Sequence, residues 1–214
     1  MNIVIVGGTG DLGFGLGYRW AKAGHQIVIG SRQKERAEEA AGRINEMTGR
    51  QNARGLANED AVQAGEIVVL AVPDAARAAV LELIKPLVQG KIVVDVTIPL
   101  RFKPLRYEAP AEGSNAQQTQ AALGEGVKVV AAFHTVSAAM LENPEKEVKG
   151  DALILGEDEE AKNTLISLAE DIGLRGFDAG SLLNARTVEG LTPMIIGMNK
   201  RYKRGHIGIG LTGI

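Results

Sequence analysis

The sequence predicts an α/β protein: a doubly wound, mainly parallel sheet with helices on both faces and a small C-terminal α/β or helical extension. Three observations lead there. Short apolar runs alternate with helical patterns from the first residues to about Asp178. Most of these runs are continuous Val/Ile/Leu/Ala segments rather than alternating ones, as strands buried on both faces require. A glycine-spaced turn, Gly8-Thr-Gly-Asp-Leu-Gly13, stands between the first run and the first helical pattern.

Taken in order, strands are expected at 2–6, 26–30, 67–72, 92–97, 127–133, 152–156 and 174–178, with a weaker one near 54–56. Helices are expected near 12–23, 33–48, 58–65, 74–88, 115–124 and 158–172. Repeated strand–helix–strand units close by right-handed crossovers into one doubly wound sheet. Beyond Asp178, Val188, Leu191, Ile195, Met198 and Tyr202 recur at spacings of three and four, an apolar stripe on a long helix over 182–203. Pro193 in its middle predicts a kink or an interruption. The Gly-rich end, 205–214, reads as an irregular tail packing locally. No linker separates domains; a soft division gives a nucleotide-binding domain over 1–140 and a small C-terminal part over 141–214.

Composition narrows the function. The 214 residues include no Cys, which excludes disulfides, zinc–thiolate sites, iron–sulfur ligation and a thiol nucleophile. A formal charge of −2 gives no pull toward nucleic acid or an anionic membrane. The apolar runs are strand-length, well short of the roughly 20 residues of a membrane span. The first strand opens at Asn2 with no basic leader. A soluble, cytoplasmic protein is expected.

The turn at Gly8 to Gly13 has the G-x-G-x-x-G spacing, weak alone but here between a strand and an amphipathic helix. Gly8 is expected to permit the tight turn, Gly10 to let backbone approach a pyrophosphate, and Gly13 to let helix and strand pack closely. Main-chain N–H groups of Thr9, Gly10, Asp11 and Leu12 would face the phosphates, aided by the helix dipole. This is the Rossmann arrangement. The second strand ends in Ile29-Gly-Ser-Arg32, followed by Lys34 and Arg36, where an NAD-selective site would carry a carboxylate. A Ser hydroxyl and an Arg fork suit a 2′-phosphate, so NADP(H) is the expected nucleotide. Val72 and Pro73 end the fourth strand and should border the ribose–nicotinamide path.

The second substrate is harder to read. Tyr18, Tyr107 and Tyr202 all lack a Lys four residues on, no metal-ligand cluster appears, and His25, His134 and His206 are scattered. His134 stands out, because it follows Val127 to Phe133 at the carboxyl end of a buried strand. There it either caps the strand or donates a hydrogen bond to a substrate heteroatom.

Read together, Gly7-Gly-Thr-Gly-Asp-Leu-Gly13, Gly30-Ser-Arg32, Val72-Pro73, Phe133-His-Thr-Val-Ser-Ala138, Asp178-Ala-Gly180, Asn184-Ala-Arg186, Glu189 and Leu191-Thr-Pro193 resemble the NADPH-dependent reductases of coenzyme F-420, an 8-hydroxy-5-deazaflavin. The resemblance runs nearly end to end. It implies a compact, usually dimeric subunit whose C-terminal part completes the deazaflavin pocket. By similarity NADP would contact Thr9, Gly10, Asp11 and Leu12 through its phosphates, and Ser31, Arg32 and Arg36 through its 2′-phosphate. Pro73, Asp74 and Ala138 would flank the ribose and nicotinamide, although Asp74 departs from a position often apolar or aromatic. The deazaflavin would lie near His134, Val136 and the 191–214 region. The implied reaction is direct hydride transfer between two stacked rings, with no side chain required to take a proton from carbon. His134 is then a hydrogen-bond donor to the deazaflavin rather than an assigned catalytic group, and no metal is implied. Lys200-Arg-Tyr-Lys-Arg204 and Glu157-Asp-Glu-Glu160 fit the C- and N-terminal ends of helices, the first also being placed to steer an anionic coenzyme tail. Two alternatives share the N-terminal motifs: a reductase of a flavin or of a ferric or cupric acceptor, and a non-enzymatic NADPH-sensing module.

Overall fold

The computed structural model describes every residue from Met1 to Ile214. Its centre is an eight-stranded sheet in the order β3-β2-β1-β4-β5-β8-β9-β10. The strands are β1 (Asn2–Val6), β2 (Gln26–Ser31), β3 (Ala53–Ala57), β4 (Ile67–Leu70), β5 (Ile92–Asp95), β8 (Lys128–Ala131), β9 (Asp151–Gly156) and β10 (Arg175–Asp178). From β3 to β8 all neighbours are parallel; β9 runs antiparallel to β8, and β10 is parallel to β9. The first six strands thus have the doubly wound order of a dinucleotide-binding fold.

Period-two alternation divides the core. Ile3 and Ile5 face one cluster of buried side chains, Val4 and Val6 the other. Helices α1 (Asp11–Ala23), α2 (Lys34–Thr48), α6 (Ala138–Leu141) and α7 (Glu159–Glu170) cover the first face. Helices α3 (Asn58–Gln63), α4 (Asp74–Ile84), α5 (Asn115–Leu123) and α8 (Ala185–Arg201) cover the second. Trp20 ties the early and late parts of the chain: its indole N–H donates to the Leu168 carbonyl at 2.8 Å. Its ring meets Phe133 edge-on, centroids 5.6 Å apart.

Several expectations change. Segment 100–114, for which the sequence predicts no element, begins with a hairpin apart from the main sheet, β6 (Leu100–Phe102) against β7 (Leu105–Tyr107). The expected strands at 67–72, 92–97 and 127–133 end earlier, at Leu70, Asp95 and Ala131, where the ladder pairings stop. Pro193 lies inside α8 and does not interrupt it. The helix loses the bond a residue-193 N–H would make, but Pro193 is buried and its neighbour Thr192 is bonded to the main chain at His134, so packing holds the turn. The expected apolar stripe divides: Val188 and Ile195 are buried, whereas Met198 and Tyr202 are exposed.

Candidate active site

A cavity of about 1180 Å³ opens at the carboxyl ends of β1, β2, β4, β5 and β8, closed on one side by 133–139 and on another by α8. Ligands of doubly wound sheets bind at this edge. Of the residues singled out in the sequence, Thr9, Gly10, Asp11, Leu12, Gly13, Ser31, Arg32, Arg36, Val72, Pro73, His134, Val136 and Ala138 all line it.

The glycine turn divides its work. The left-handed residue is Gly7, with φ of +78°, where a Cβ would lie 2.6 Å from the Ala71 carbonyl oxygen; at Gly8, expected to permit the tight turn, a Cβ would lie 2.9 Å from Ile5 O. Gly8 is buried beneath the turn, its N–H shared between Ile5 O at 3.1 Å and Gly30 O at 3.3 Å, and it does not reach the cavity. Gly13 provides the expected close approach, since a Cβ there would stand 3.0 Å from the Gly8 Cα. Gly10 differs from all three. Its absent Cβ would meet nothing nearer than Gly7 O at 3.7 Å, so within the chain the position is open and faces the cavity. Gly10 is also the N-cap of α1 and offers no side chain to the first-turn N–H groups. A pyrophosphate fits that cradle, which a methyl group would fill.

At the neighbouring strand end, the Ser31 hydroxyl accepts from the Gln33 N–H at 3.3 Å. Arg32 and Arg36 form no ion pair within the chain, whereas Lys34 pairs with Glu38 at 3.4 Å and stays outside the cavity. Two unpaired guanidinium groups beside a hydroxyl suit a phosphate dianion. Asp74, expected beside the nicotinamide, does not line the cavity: it accepts from Asn115 Nδ2 at 2.8 Å and stands 3.6 Å from Arg77 Nε. Pro73 takes the cavity side as N-cap of α4.

The opposite end is built around His134. Phe133 precedes it with φ of +63°, a strained conformation for a bulky residue, held by burial of the ring against Trp20. This turn puts His134 into the cavity wall three residues beyond the end of β8. The imidazole is 3% exposed and neither ring nitrogen completes a hydrogen bond. Burial pushes its pKa down to about 4, against the opposing pull of the Asp95 carboxylate and the nearby Thr97 main chain. It is therefore a neutral ring at neutral pH, with one donor and one acceptor available to a ligand.

Asp95, Thr97 and Asn58 carry no expectation from the sequence, whereas Thr192 belongs to the Leu191-Thr-Pro193 motif. Asp95 is fully buried at the end of β5; its Oδ1 accepts from the Thr97 N–H and Oγ1, both at 2.7 Å, and its Oδ2 from Thr119 Oγ1 at 2.6 Å. Thr192 and Asn58 line the cavity directly. The available signal was a polar residue at the carboxyl end of a strand, which Asp95 and Asn58 both satisfy. Glu189, part of the motif set, holds α8 in place by accepting from the Tyr107 hydroxyl at 2.7 Å and from the N–H groups of Asn115 at 3.1 Å and Ala116 at 3.2 Å. Burial nonetheless pushes its pKa up. His25 is structural, bonded to Asp171 at 2.9 Å. Asp158 caps α7 through Ala161 N–H at 2.8 Å, and Lys200 and Arg201 occupy the last turn of α8, as the charge runs suggested.

Residues 2–99 match the family model described as NADP oxidoreductase, coenzyme F-420-dependent. The chain is 42% identical to the F-420-dependent NADP reductase of Methanocaldococcus jannaschii, an alignment spanning 100% of this chain and 99% of that one. This chain belongs to the F-420-dependent NADP reductase family. A second member, from Methanothermobacter thermautotrophicus, is 37% identical across 100% of this chain and 96% of its own length. In fold, this reductase-family chain is similar to the crystal structure of a putative F-420-dependent NADP reductase from an Arthrobacter species, with a TM-score of 0.83, 24% identity and 99% and 98% of the two chains covered. It is also 31% identical to the rat metalloreductase STEAP3, over 86% of this chain but only 35% of that protein. No helix here is long and apolar enough to cross a membrane.

Proposed function

We propose that this chain catalyses reversible, direct hydride transfer between NADP(H) and coenzyme F-420. One observation carries the reading: a single cavity of about 1180 Å³ has a phosphate cradle at Gly10 and an unpartnered, buried imidazole at His134. That volume exceeds the roughly 300–1,000 Å³ of an ordinary small-molecule pocket and suits two coenzymes side by side.

In this reading the main chain of Thr9, Gly10, Asp11 and Leu12 holds the pyrophosphate, and Gly7, Gly8 and Gly13 shape the turn beneath it. Ser31, Arg32 and Arg36 hold the 2′-phosphate. Val72, Pro73 and Ala138 flank the nicotinamide. His134 and Val136 face the deazaflavin together with Thr192, Ile195 and Asn199 of α8, all cavity residues. The bound rings supply the hydride donor and acceptor. The chain's part is to keep them face to face at about 3–3.5 Å and to exclude water behind Val96, Ile98, Phe133 and Ile195. Neutral His134 donates a hydrogen bond to the polar edge of the acceptor ring, favouring charge that develops there.

Residues 1–140 act as the nucleotide-binding part, and 141–214 complete the second pocket, supported by the α8 residues in its wall. The chain works as a homodimer, supported by the exposed row Met194, Met198 and Tyr202 on α8. It works in the cytoplasm, supported by an apolar pattern that offers no membrane-spanning helix.

The likeness to a metalloreductase favours one alternative, electron delivery to a flavin and a ferric or cupric acceptor. NADPH is mixed separately with F-420, FMN, FAD and a ferric chelate while the nicotinamide and deazaflavin absorbances are followed. Rapid turnover with F-420 alone is expected. Comparable slow oxidation with every acceptor would favour the alternative.

A further inference from the structure

Four residues have buried side-chain polar atoms without a hydrogen-bond partner: Asn52, Asn58, Arg77 and His134. Asn52 still donates to Ala21 O and His25 O, and Arg77 to Asn115, Thr119 and Gln118. Only Asn58 and His134 line the large cavity. His134 belongs to the acceptor end. Asn58 lies at the opposite end, with no task in the account above.

Its placement follows from the sheet. Ala57, the last residue of β3, pairs with Ser31, the last residue of β2. Asn58 therefore follows immediately beside the proposed 2′-phosphate group of Ser31, Arg32 and Arg36. It is 6% exposed, and its Oδ1 makes no bond within the chain. A Cβ on Gly30 would stand 3.0 Å from that oxygen, so a glycine on β2 leaves the amide its space. Leaving such a group unpaired costs about 1–3 kcal/mol, and a bound ligand that completes the bond removes the cost.

The missing partner has a definable chemistry. A phosphate offers only acceptors, and the hydroxyl and two guanidinium groups nearby already suit it. An amide, whichever way it is turned, presents one donor and one acceptor in a plane. On the adenosine half of the dinucleotide that pair is matched by adenine, whose 6-amino group donates beside an accepting ring nitrogen. We propose that Asn58 is a specificity-determining residue that reads the adenine edge of the bound dinucleotide. The proposal rests on the dinucleotide seating described under the proposed function.

The test compares dissociation constants of NADP, its analogue with hydrogen in place of the adenine 6-amino group, and NAD for the unaltered protein and for Asn58→Ala. Removing the 6-amino group takes away the ligand's donor whichever way the amide is turned, so the unaltered protein should bind NADP about tenfold more tightly than the analogue. Asn58→Ala should bring those two values together while keeping the preference for NADP over NAD. Equal binding of NADP and the analogue by the unaltered protein overturns the proposal, whatever the variant does. So does a variant that loses affinity for both in equal proportion, or that loses the NADP preference as well. The seating itself fails on a different result, an unaltered protein indifferent to the 2′-phosphate.

Discussion

The Thr192 hydroxyl donates to the main-chain carbonyl of His134 at 2.7 Å, fastening α8 to the strained turn that presents the imidazole. Residues 58 positions apart thereby fix one wall of the cavity. Thr192→Val keeps the shape and removes the bond. It should lower kcat/KM for F-420 by roughly fivefold, about 1 kcal/mol, while the NADPH dissociation constant stays within twofold. Steady-state kinetics with each coenzyme varied in turn separates the two effects. Equal losses for both would mean that the bond supports the whole site rather than its acceptor end.

Arg32 and Arg36 face the cavity without carboxylate partners. Arg32→Gln should reduce the preference for NADP over NAD by about 1.5–3 kcal/mol, the range of a hydrogen bond to a charged group. Titration of both nucleotides measures it. An unchanged ratio would remove Arg32 from the 2′-phosphate site.

Two glycines of one motif should fail in different ways. A methyl group at Gly10 meets no atom within 3.7 Å, and the backbone there, φ −86° and ψ 161°, accepts alanine. Gly10→Ala should fold with a loss of about 1 kcal/mol or less, yet bind NADP at least a hundredfold more weakly because the methyl occupies the phosphate cradle. At Gly13 the methyl would press on the Gly8 main chain at 3.0 Å, so Gly13→Ala should lower stability itself, by about 1–3 kcal/mol. Urea unfolding beside nucleotide titration distinguishes the pair. Normal NADP binding by Gly10→Ala would place the pyrophosphate elsewhere.

His134 makes stability depend on pH. Its folded value of about 4 lies below the unfolded value near 6.5, so between the two the unfolded chain holds a proton that the folded chain does not. The contribution is complete above about pH 6.5 and is lost as pH falls toward 4, at up to about 1.4 kcal/mol per pH unit. Unaltered protein should therefore lose about 2 kcal/mol more than His134→Gln between pH 6.5 and 4.5, by urea unfolding at each pH. Asp151, Asp158 and Asp178, held low chiefly by Arg175, the Ala161 N–H and Lys162 respectively, act below that window and are common to both proteins. Parallel profiles would mean that the ring is solvated.

The nucleotide end was legible because its signals are local. Gly8 to Gly13 and Ser31-Arg32 each lie in one short segment, where spacing alone dictates the backbone and the charge. Even so, the left-handed residue, Gly7, lies just outside the Gly8 to Gly13 pattern, which records spacing and not φ. The acceptor end was legible only in outline. His134 could be placed after an apolar run, but the Phe133 turn that aims it depends on Trp20, more than a hundred residues earlier. Asn58 carries no such signal, and Thr192 only its place in a motif, for the same reason: register between distant elements, not neighbouring sequence, brings them to the cavity. The hairpin at 100–107 did leave a trace, the alternation Leu100, Arg101, Phe102, but only three residues long on each side and interrupted by Pro104.

Direct transfer is most sharply examined with NADPH carrying deuterium at nicotinamide C4 on the transferred face. Mixed with oxidised F-420 in ordinary water, the protein should deliver the label to deazaflavin C5 with nearly full retention and slow the single-turnover step by a primary isotope effect. Label released to solvent, or reduced F-420 bearing only protium, would contradict a reaction between two rings held face to face.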